Sequence, residues 1–89
     1  MDLEAACRKI DKHIKAILYA HYAGGFDDRD RMLDLAQDEG IRLIENAAHS
    51  FGSLCNEKFI EEHSDVLCFS FDGVKNITCR DGGCIVRCN

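Results

Sequence analysis

The chain has 89 residues, 46% of them hydrophobic and 30% charged, so its length allows one domain of ordinary globular composition. Its formal net charge of −5 excludes a broad basic surface for nucleic acid, and its apolar runs are too short to span a bilayer. The N-terminus "MDLEAACRKIDKH" lacks the basic start and apolar core of a signal peptide. We therefore expect a cytoplasmic protein with neither nucleic acid nor a membrane as its partner.

Two helices are predicted from the spacing of apolar residues. In "MDLEAACRKI", Leu3, Ala6, Cys7 and Ile10 recur at helical intervals, which indicates a short amphipathic helix or the last turns of a longer one. In "DDRDRMLDLAQDEG", Asp27 or Asp28 is the expected N-cap; Met32, Leu33 and Ala36 share one face, and Gly40 ends the helix.

Four strands are predicted at residues 15–21, 41–45, 65–71 and 84–88. The first two flank the second helix, and a strand, a helix and a strand in this order predict a parallel pair with a right-handed crossover. The fold class is therefore α/β with a mainly parallel sheet. Because such a sheet needs helices on both faces, we expect a piece of a larger fold or a chain that docks onto another one.

The six cysteines are irregularly spaced, and several of them lie in apolar, strand-like segments: Cys7, Cys55, Cys68, Cys79, Cys84 and Cys88. In a secreted chain this number would suggest a disulfide scaffold, but the spacing favours buried free thiols. A metal site built from Cys79, Cys84 and Cys88 is the less favoured alternative, because zinc ribbons use paired C-x2-C motifs.

Polar clusters follow three of the predicted strands: "HYAGG", "NAAHSFG" and "DGVKN". In open α/β sheets, ligands bind in the crevice at the carboxyl ends of the strands. We therefore expect Asn46, His49, Ser70 and Lys75 to converge on one ligand. Taken singly, a loop lysine is usually solvated and a histidine after a strand is usually structural, so these residue types do not identify the ligand.

Three segments in order, "KAILYAHYAGG", "LAQDEGIRLIENAAHSFG" and "FSFDGVKNITCRDGGCIV", resemble the DegT/DnrJ/EryC1/StrS sugar aminotransferases. These are pyridoxal-phosphate enzymes of the aspartate-aminotransferase fold, fold type I. The resemblance extends from about residue 3 to residue 89 and is most similar to the UDP-4-amino-4-deoxy-L-arabinose aminotransferase branch. It implies that residues 1–89 are the central, incomplete part of the large domain that binds pyridoxal phosphate.

The resemblance implies an activity and partners as well. The family transfers an amino group, with glutamate as the expected donor, to a nucleotide-linked keto-sugar in polysaccharide biosynthesis. Its active sites form across a homodimer, which we expect for the full-length protein. The family's N-terminal phosphate-cradling segment and its C-terminal small domain have no counterpart in these 89 residues, so we expect the isolated chain to be inactive.

The resemblance also implies a role for each candidate residue. Lys75 matches the lysine that forms a Schiff base with pyridoxal phosphate, which requires an amine able to lose its proton. Ser70 matches a serine that binds the cofactor phosphate. His49 matches a position beside the cofactor ring, where it would bond to the ring's 3-hydroxyl group. His21 matches a histidine that closes a strand, for which we expect a structural role.

Position 46 departs from the family pattern. The family has an aspartate there that pairs with the pyridine nitrogen and keeps it protonated, whereas this chain has Asn46. Glu45 is adjacent but should point to the opposite side of its strand. Asp72 stands where the most similar branch has a histidine, which affects the expected substrate pocket.

Two hypotheses follow from this departure. In the first, pyridoxal phosphate binds but amino transfer is much slower than with an aspartate. In the alternative, the chain is a catalytically inactive module, derived from such an enzyme, that binds the cofactor or another partner.

Overall fold

The computed structural model describes residues 2–21, 28–50, 52, 54–55, 58–59, 64–72 and 80–87. Within these ranges the helices are α1 (Leu3–Lys9) and α2 (Arg29–Asp38), and the strands are β1 (Ala16–Ala20), β2 (Arg42–Asn46), β3 (Leu54–Cys55), β4 (Lys58–Phe59), β5 (Val66–Ser70) and β6 (Gly83–Arg87). No helix in these ranges is long and apolar enough to cross a membrane.

Four of the strands form one sheet in the order β1-β2-β5-β6. The pairs β1/β2 and β2/β5 are parallel, and β6 runs antiparallel to β5. The predicted α/β fold with a mainly parallel sheet is therefore confirmed. The two-residue strands β3 and β4 form a separate antiparallel hairpin that the sequence did not predict, because such short strands leave no measurable alternation.

The carboxyl end of β2 lies one residue further along the chain than predicted. The strand ends at Asn46 rather than Glu45, and Asn46 is paired in register with Ala20 on one side and Cys68 on the other. The pairing continues because the backbone N–H of His21 donates to the carbonyl of Asn46 at 3.0 Å. Asn46 is therefore held by the sheet and does not belong to the following loop.

One face of the sheet is buried beneath the helices. Its core contains Ile17 and Tyr19 of β1, Leu43 of β2, and Met32 and Ala36 of α2. The predicted apolar face of α2 thus packs on the sheet, as its spacing required. Ala47, Leu67 and Phe69 continue the buried layer towards β6.

The opposite face of the sheet is largely exposed. Leu18 of β1 is 63% exposed and Ile85 of β6 is 74% exposed. Mainly parallel sheets normally have both faces covered, so this arrangement agrees with the expectation of a larger fold or a docking partner.

The helix starts differ in how they are capped. At α1, the side chain of Asp2 accepts hydrogen bonds from the N–H groups of Glu4 (2.9 Å) and Ala5 (3.2 Å). At α2, the predicted cap Asp28 occupies the N-cap position, but its backbone is left-handed (φ 61°) and its side chain makes no capping bond. Its carboxylate accepts from Arg31 instead, at 3.1 Å.

The prediction of buried thiols is wrong for Cys7, which is exposed on the short helix α1, because the apolar face of that helix is only partly covered. Cys68 and Cys84 are free and half-buried. Among the described residues, no group of His, Cys, Asp or Glu side chains is placed to hold a metal ion. Cys79 and Cys88 lie outside those residues, so the alternative metal site stays untested.

Candidate active site

A cavity of about 540 Å³ opens at the carboxyl ends of β2 and β5. Its lining residues come from three strands and the loops after them: Leu18, Asn46, Ala48, Cys68, Phe69, Ser70 and Asp72. Two of the four predicted site residues, Asn46 and Ser70, therefore share one cavity. Their juxtaposition follows from the parallel β2/β5 register, which brings the ends of both strands to one edge of the sheet.

The orientation of the Asn46 side chain is fixed by a local hydrogen bond. Its Oδ1 accepts from the backbone N–H of Ala48 at 3.2 Å. Because a backbone N–H can only donate, this bond identifies the oxygen end of the amide, and the NH2 end is the donor that the side chain offers to a ligand. Asn46 is exposed and lines the cavity, so it offers a neutral hydrogen-bond donor there.

Ser70 is the last residue of β5 and is half-buried. Its Oγ accepts from the backbone N–H of Asp72 at 3.4 Å. The hydroxyl proton is not used in that bond and can be donated elsewhere. Asp72 itself is exposed at the rim of the same cavity.

Of the other two predicted site residues, His49 and Lys75, the structure describes only His49. His49 is exposed and is not among the residues that line the cavity, so the structure does not bring it together with Asn46 and Ser70. Lys75 lies outside the described residues. Their predicted roles stay predictions.

A buried polar cluster lies on the other side of β2, directly beneath the cavity edge. The Glu45 carboxylate is fully buried and accepts from Arg29 Nε at 2.6 Å, from Arg29 Nη2 at 3.1 Å and from His21 Nε2 at 2.8 Å. Arg29 Nη2 also donates to Ser64 Oγ at 2.7 Å, and His21 Nδ1 lies 3.2 Å from Ser50 Oγ. We call these five side chains the Glu45 cluster.

The electrostatics of the cluster favour the charged form of Glu45. Burial alone would raise the pKa of this carboxyl group. Hydrogen bonds from His21, Arg29 and Ser64, together with the positive charge of Arg29, outweigh burial, so the pKa of Glu45 lies below its ordinary value of 4.5.

The sequence predicted parts of this cluster. Strand alternation placed Glu45 opposite Asn46, and the structure confirms that one is buried and the other exposed. The burial of His21 agrees with its expected structural role. Arg29 was missed because it lies in the charged stretch "DDRDR", which is typical of a solvated helix start.

Comparisons with known proteins agree with this architecture. The family model of the DegT/DnrJ/EryC1/StrS aminotransferase family matches residues 1–89. Among solved structures, the chain is similar to a 3-amino-5-hydroxybenzoic acid synthase, with 31% sequence identity and a TM-score of 0.92 over 98% of this chain and 23% of that one.

Two further structures share 24% sequence identity with this chain, and at that identity the similarity shows the fold alone. One is a sugar aminotransferase from Streptococcus pneumoniae in its PLP form, with 24% identity and a TM-score of 0.92 over 100% of this chain and 26% of that one. The other is DesI in the presence of its TDP-sugar product, with 24% identity and a TM-score of 0.88 over 98% and 22%. The chain thus spans about a quarter of the length of the structures it matches.

Proposed function

The chain belongs to the DegT/DnrJ/EryC1/StrS aminotransferase family, whose members depend on pyridoxal phosphate, and we propose that residues 1–89 form the cofactor-lysine portion of a sugar aminotransferase. The observation that carries this proposal is the shared cavity of Asn46 and Ser70 at the carboxyl ends of two neighbouring parallel strands. Both are positions at which the family resemblance implies contact with the cofactor.

The donors in this cavity suit a phosphorylated pyridine. The Ser70 hydroxyl can donate to a phosphate oxygen, and the Asn46 amide can donate to a ring nitrogen. The Asp72 carboxylate lies at the same rim and would repel a phosphate, but it is exposed, so water screens its charge. We propose that Ser70 and Asn46 hold the two ends of the cofactor.

Lys75 follows β5 in the chain, two residues beyond the Asp72-Gly73 pair. We propose that its amine is the covalent attachment point of the cofactor and afterwards carries a proton during amino transfer. Bound pyridoxal phosphate would supply an electron-withdrawing ring. His49, which is exposed in the loop after β2, is proposed to hydrogen-bond to the ring's hydroxyl group.

Asn46 sets the electronic character of the proposed site. A carboxylate at this position would hold the pyridine nitrogen protonated, which strengthens the ring as an electron sink. The bond from Ala48 N–H identifies the oxygen end of the Asn46 amide, and the NH2 end can only donate, so through that end Asn46 pairs with an unprotonated nitrogen. We therefore propose binding of the cofactor with slow amino transfer.

We propose glutamate as the amino donor and a nucleotide-linked keto-sugar as the acceptor. The support is the family membership and the similarity to DesI, a structure determined with a TDP-sugar product. A cytoplasmic location and a homodimer of the full-length protein are proposed on the same family basis.

A second candidate function is a catalytically inactive module that binds the cofactor or another partner. The observation that favours it is Asn46, which presents a neutral donor where the resemblance implies a carboxylate. Where the inactive module binds the cofactor, the two candidates differ in whether amino transfer follows.

Visible absorption during titration with pyridoxal phosphate tests the proposal. We expect a yellow band that saturates with the wild-type chain and is lost in Lys75→Ala. A lysine remote from the cavity provides the matched control: Lys12 lies exposed between α1 and β1, and Lys12→Ala should leave the band unchanged. A band of equal strength in Lys75→Ala, or no band in any variant, contradicts the proposed site.

Amino transfer distinguishes the two candidate functions. A longer chain that carries the rest of the fold is mixed with glutamate and a nucleotide-linked keto-sugar, and the conversion of glutamate to 2-oxoglutarate is measured. Slow conversion that depends on the keto-sugar supports the enzyme; binding of the cofactor without conversion supports the inactive module.

A further inference from the structure

The Glu45 cluster lies against the backbone of the proposed cofactor site without contributing to its cavity. Glu45 and Asn46 are consecutive residues at the end of β2, so their side chains point to opposite faces of the sheet. Glu45 is fully buried, whereas Asn46 lines the cavity. Any movement of the Glu45 backbone is therefore transmitted directly to Asn46.

The cluster joins elements that are separate in the chain. His21 follows β1, Arg29 begins α2, and Ser64 precedes β5. The Glu45 carboxylate receives donors from His21 and Arg29, and Arg29 extends the connection to Ser64. The end of β2 is thus fixed relative to both of its neighbouring strands and to the start of the covering helix.

The cluster is also continuous with the loop that orients Asn46. The backbone N–H of His21 donates to the carbonyl of Asn46 at 3.0 Å, and the side chain of His21 contacts Ser50 at 3.2 Å. The backbone N–H of Ser50 in turn donates to the carbonyl of Ala47 at 2.9 Å. Ala48, whose N–H holds the Asn46 amide, is therefore enclosed between two anchored residues.

Stability alone is a weak reason for such a cluster. Removing two charges from water costs several kcal/mol, and well-packed apolar replacements of buried ion pairs are often at least as stable. The charged, bidentate bonds instead restrict the position of the carboxylate, because the two N–H groups of the Arg29 guanidinium reach both oxygens in only a narrow range of orientations.

We propose that Glu45 is a positioning residue that, through Arg29 and His21, fixes the direction in which Asn46 presents its amide NH2 group to the cavity. This role rests on the proposed function, because only a ligand at the cavity gives the orientation of Asn46 a purpose. The coupling itself exists in the chain without any ligand. It can therefore be tested separately from cofactor binding.

The test is an NMR measurement on the ligand-free chain, which follows the side-chain NH2 resonances of Asn46 and the hydrogen exchange of Ala48 N–H. In folded Glu45→Gln, which removes the charge and keeps the shape, we expect the Asn46 NH2 resonances to shift. The exchange of Ala48 N–H should become about tenfold faster or more as its bond to Asn46 is lost for part of the time.

A control variant in the core, outside the Glu45 cluster, shows whether a loss of stability by itself moves the Asn46 signals. Ala36 is buried in α2 but lies outside the Glu45 cluster, and Ala36→Gly lowers stability by about 1 kcal/mol through helix propensity. Ala36→Gly should leave the Asn46 NH2 resonances where they are. If it shifts them as much as Glu45→Gln does, the effect is general and the positioning role is overturned.

A milder variant covers the case in which Glu45→Gln does not fold. Ser64→Ala removes one neutral partner that Arg29 and Glu45 share, and it leaves the Glu45–Arg29 pair in place. It should move the same resonances in the same direction by a smaller amount. Unchanged Asn46 and Ala48 signals in whichever of these variants folds overturn the proposal.

Titration of the same variants with pyridoxal phosphate keeps the two proposals distinguishable. If the wild-type chain shows no Lys75-dependent band, the proposed function fails whatever the NMR result. If the band is present, we expect the affinity to fall about tenfold in Glu45→Gln, which corresponds to about 1.4 kcal/mol. A shift of the Asn46 signals with unchanged affinity would confirm the coupling and overturn its role in the site.

Discussion

Asn46 differs from the family's aspartate in charge but not in shape, and this allows a direct test of its role. In a longer chain that carries the rest of the fold, Asn46→Asp should raise the rate of amino transfer about tenfold or more, equivalent to at least about 1.4 kcal/mol of transition-state stabilisation. The reason is that a carboxylate holds the pyridine nitrogen protonated. The rate is measured as 2-oxoglutarate formed from glutamate.

The control for this substitution is Asn46→Ala, which removes the side chain and should not raise the rate. Equal rates in the wild type and Asn46→Asp would show that position 46 does not pair with the pyridine nitrogen.

Glu45 should make the stability of the chain depend on pH. Its pKa is near 4.5 when unfolded and lower when folded, so its contribution is complete above about pH 4.5 and is lost as the pH falls through the folded-state value. At pH 7, Glu45→Gln should cost about 3–5 kcal/mol, because the buried Arg29 loses its bidentate partner and keeps only the largely exposed Asp30 at 3.7 Å. Urea unfolding between pH 7 and pH 3 measures both effects.

The difference between the wild type and Glu45→Gln should therefore shrink in acid. Glu4→Gln serves as the control, because the Glu4–Arg8 pair spans 3.9 Å between largely exposed side chains and should contribute little. A difference that stays constant from pH 7 to pH 3 would show that Glu45 is not the titrating group.

At the level of the individual residue, the sequence predicted what strand periodicity can predict. Alternation places Glu45 and Asn46 on opposite faces whatever the tertiary structure. It does not reveal that Glu45 meets Arg29, since that contact depends on where the start of α2 comes to lie over the sheet. Likewise, the exposed position of His49 depends on the path of the loop after β2, which residue type does not specify.

At the level of the secondary-structure elements, the pairing of β5 with β6 depends on the absence of a side chain at Gly83. A Cβ atom built on Gly83 would lie 2.5 Å from the carbonyl oxygen of Phe69, closer than such atoms approach each other. We expect Gly83→Ala to lower the free energy of unfolding by about 1–3 kcal/mol, because the strands must separate. Chemical denaturation measures the loss.

The same substitution should disturb the candidate site, since Gly83 is paired in register with Ser70. Ile85→Ala is the control in the same strand: Ile85 is 74% exposed, and its truncation should cost under about 1 kcal/mol. A Gly83→Ala chain as stable as the Ile85→Ala chain would show that the two strands can separate at no cost.

The main elements could be predicted because each carries a strong local signal. The four predicted strands and the amphipathic α2 appear in the structure within about one residue of the predicted bounds. The direction of β6 could not be predicted, because the connection from residue 71 to residue 82 is long enough for either a parallel or an antiparallel return.

At the level of the whole molecule, the sheet is covered on one face and exposes Leu18 and Ile85 on the other. The chain also spans about a quarter of the length of the structures it matches. Both observations fit a part of a larger α/β fold, as the shortage of helices in the sequence implied. The order of the strands in the sheet could not be read from the sequence, because it depends on long-range pairing.

We propose that Lys75 carries the cofactor in a site built around Asn46 and Ser70. The most direct test is to add pyridoxal phosphate, reduce the product with borohydride, and locate the modified lysine by peptide mass spectrometry. We predict that Lys75 is modified at low cofactor concentration and that Ser70→Ala weakens this modification. Modification confined to Lys9, Lys12, Lys15 or Lys58, or none at all, would contradict the proposed role of Lys75.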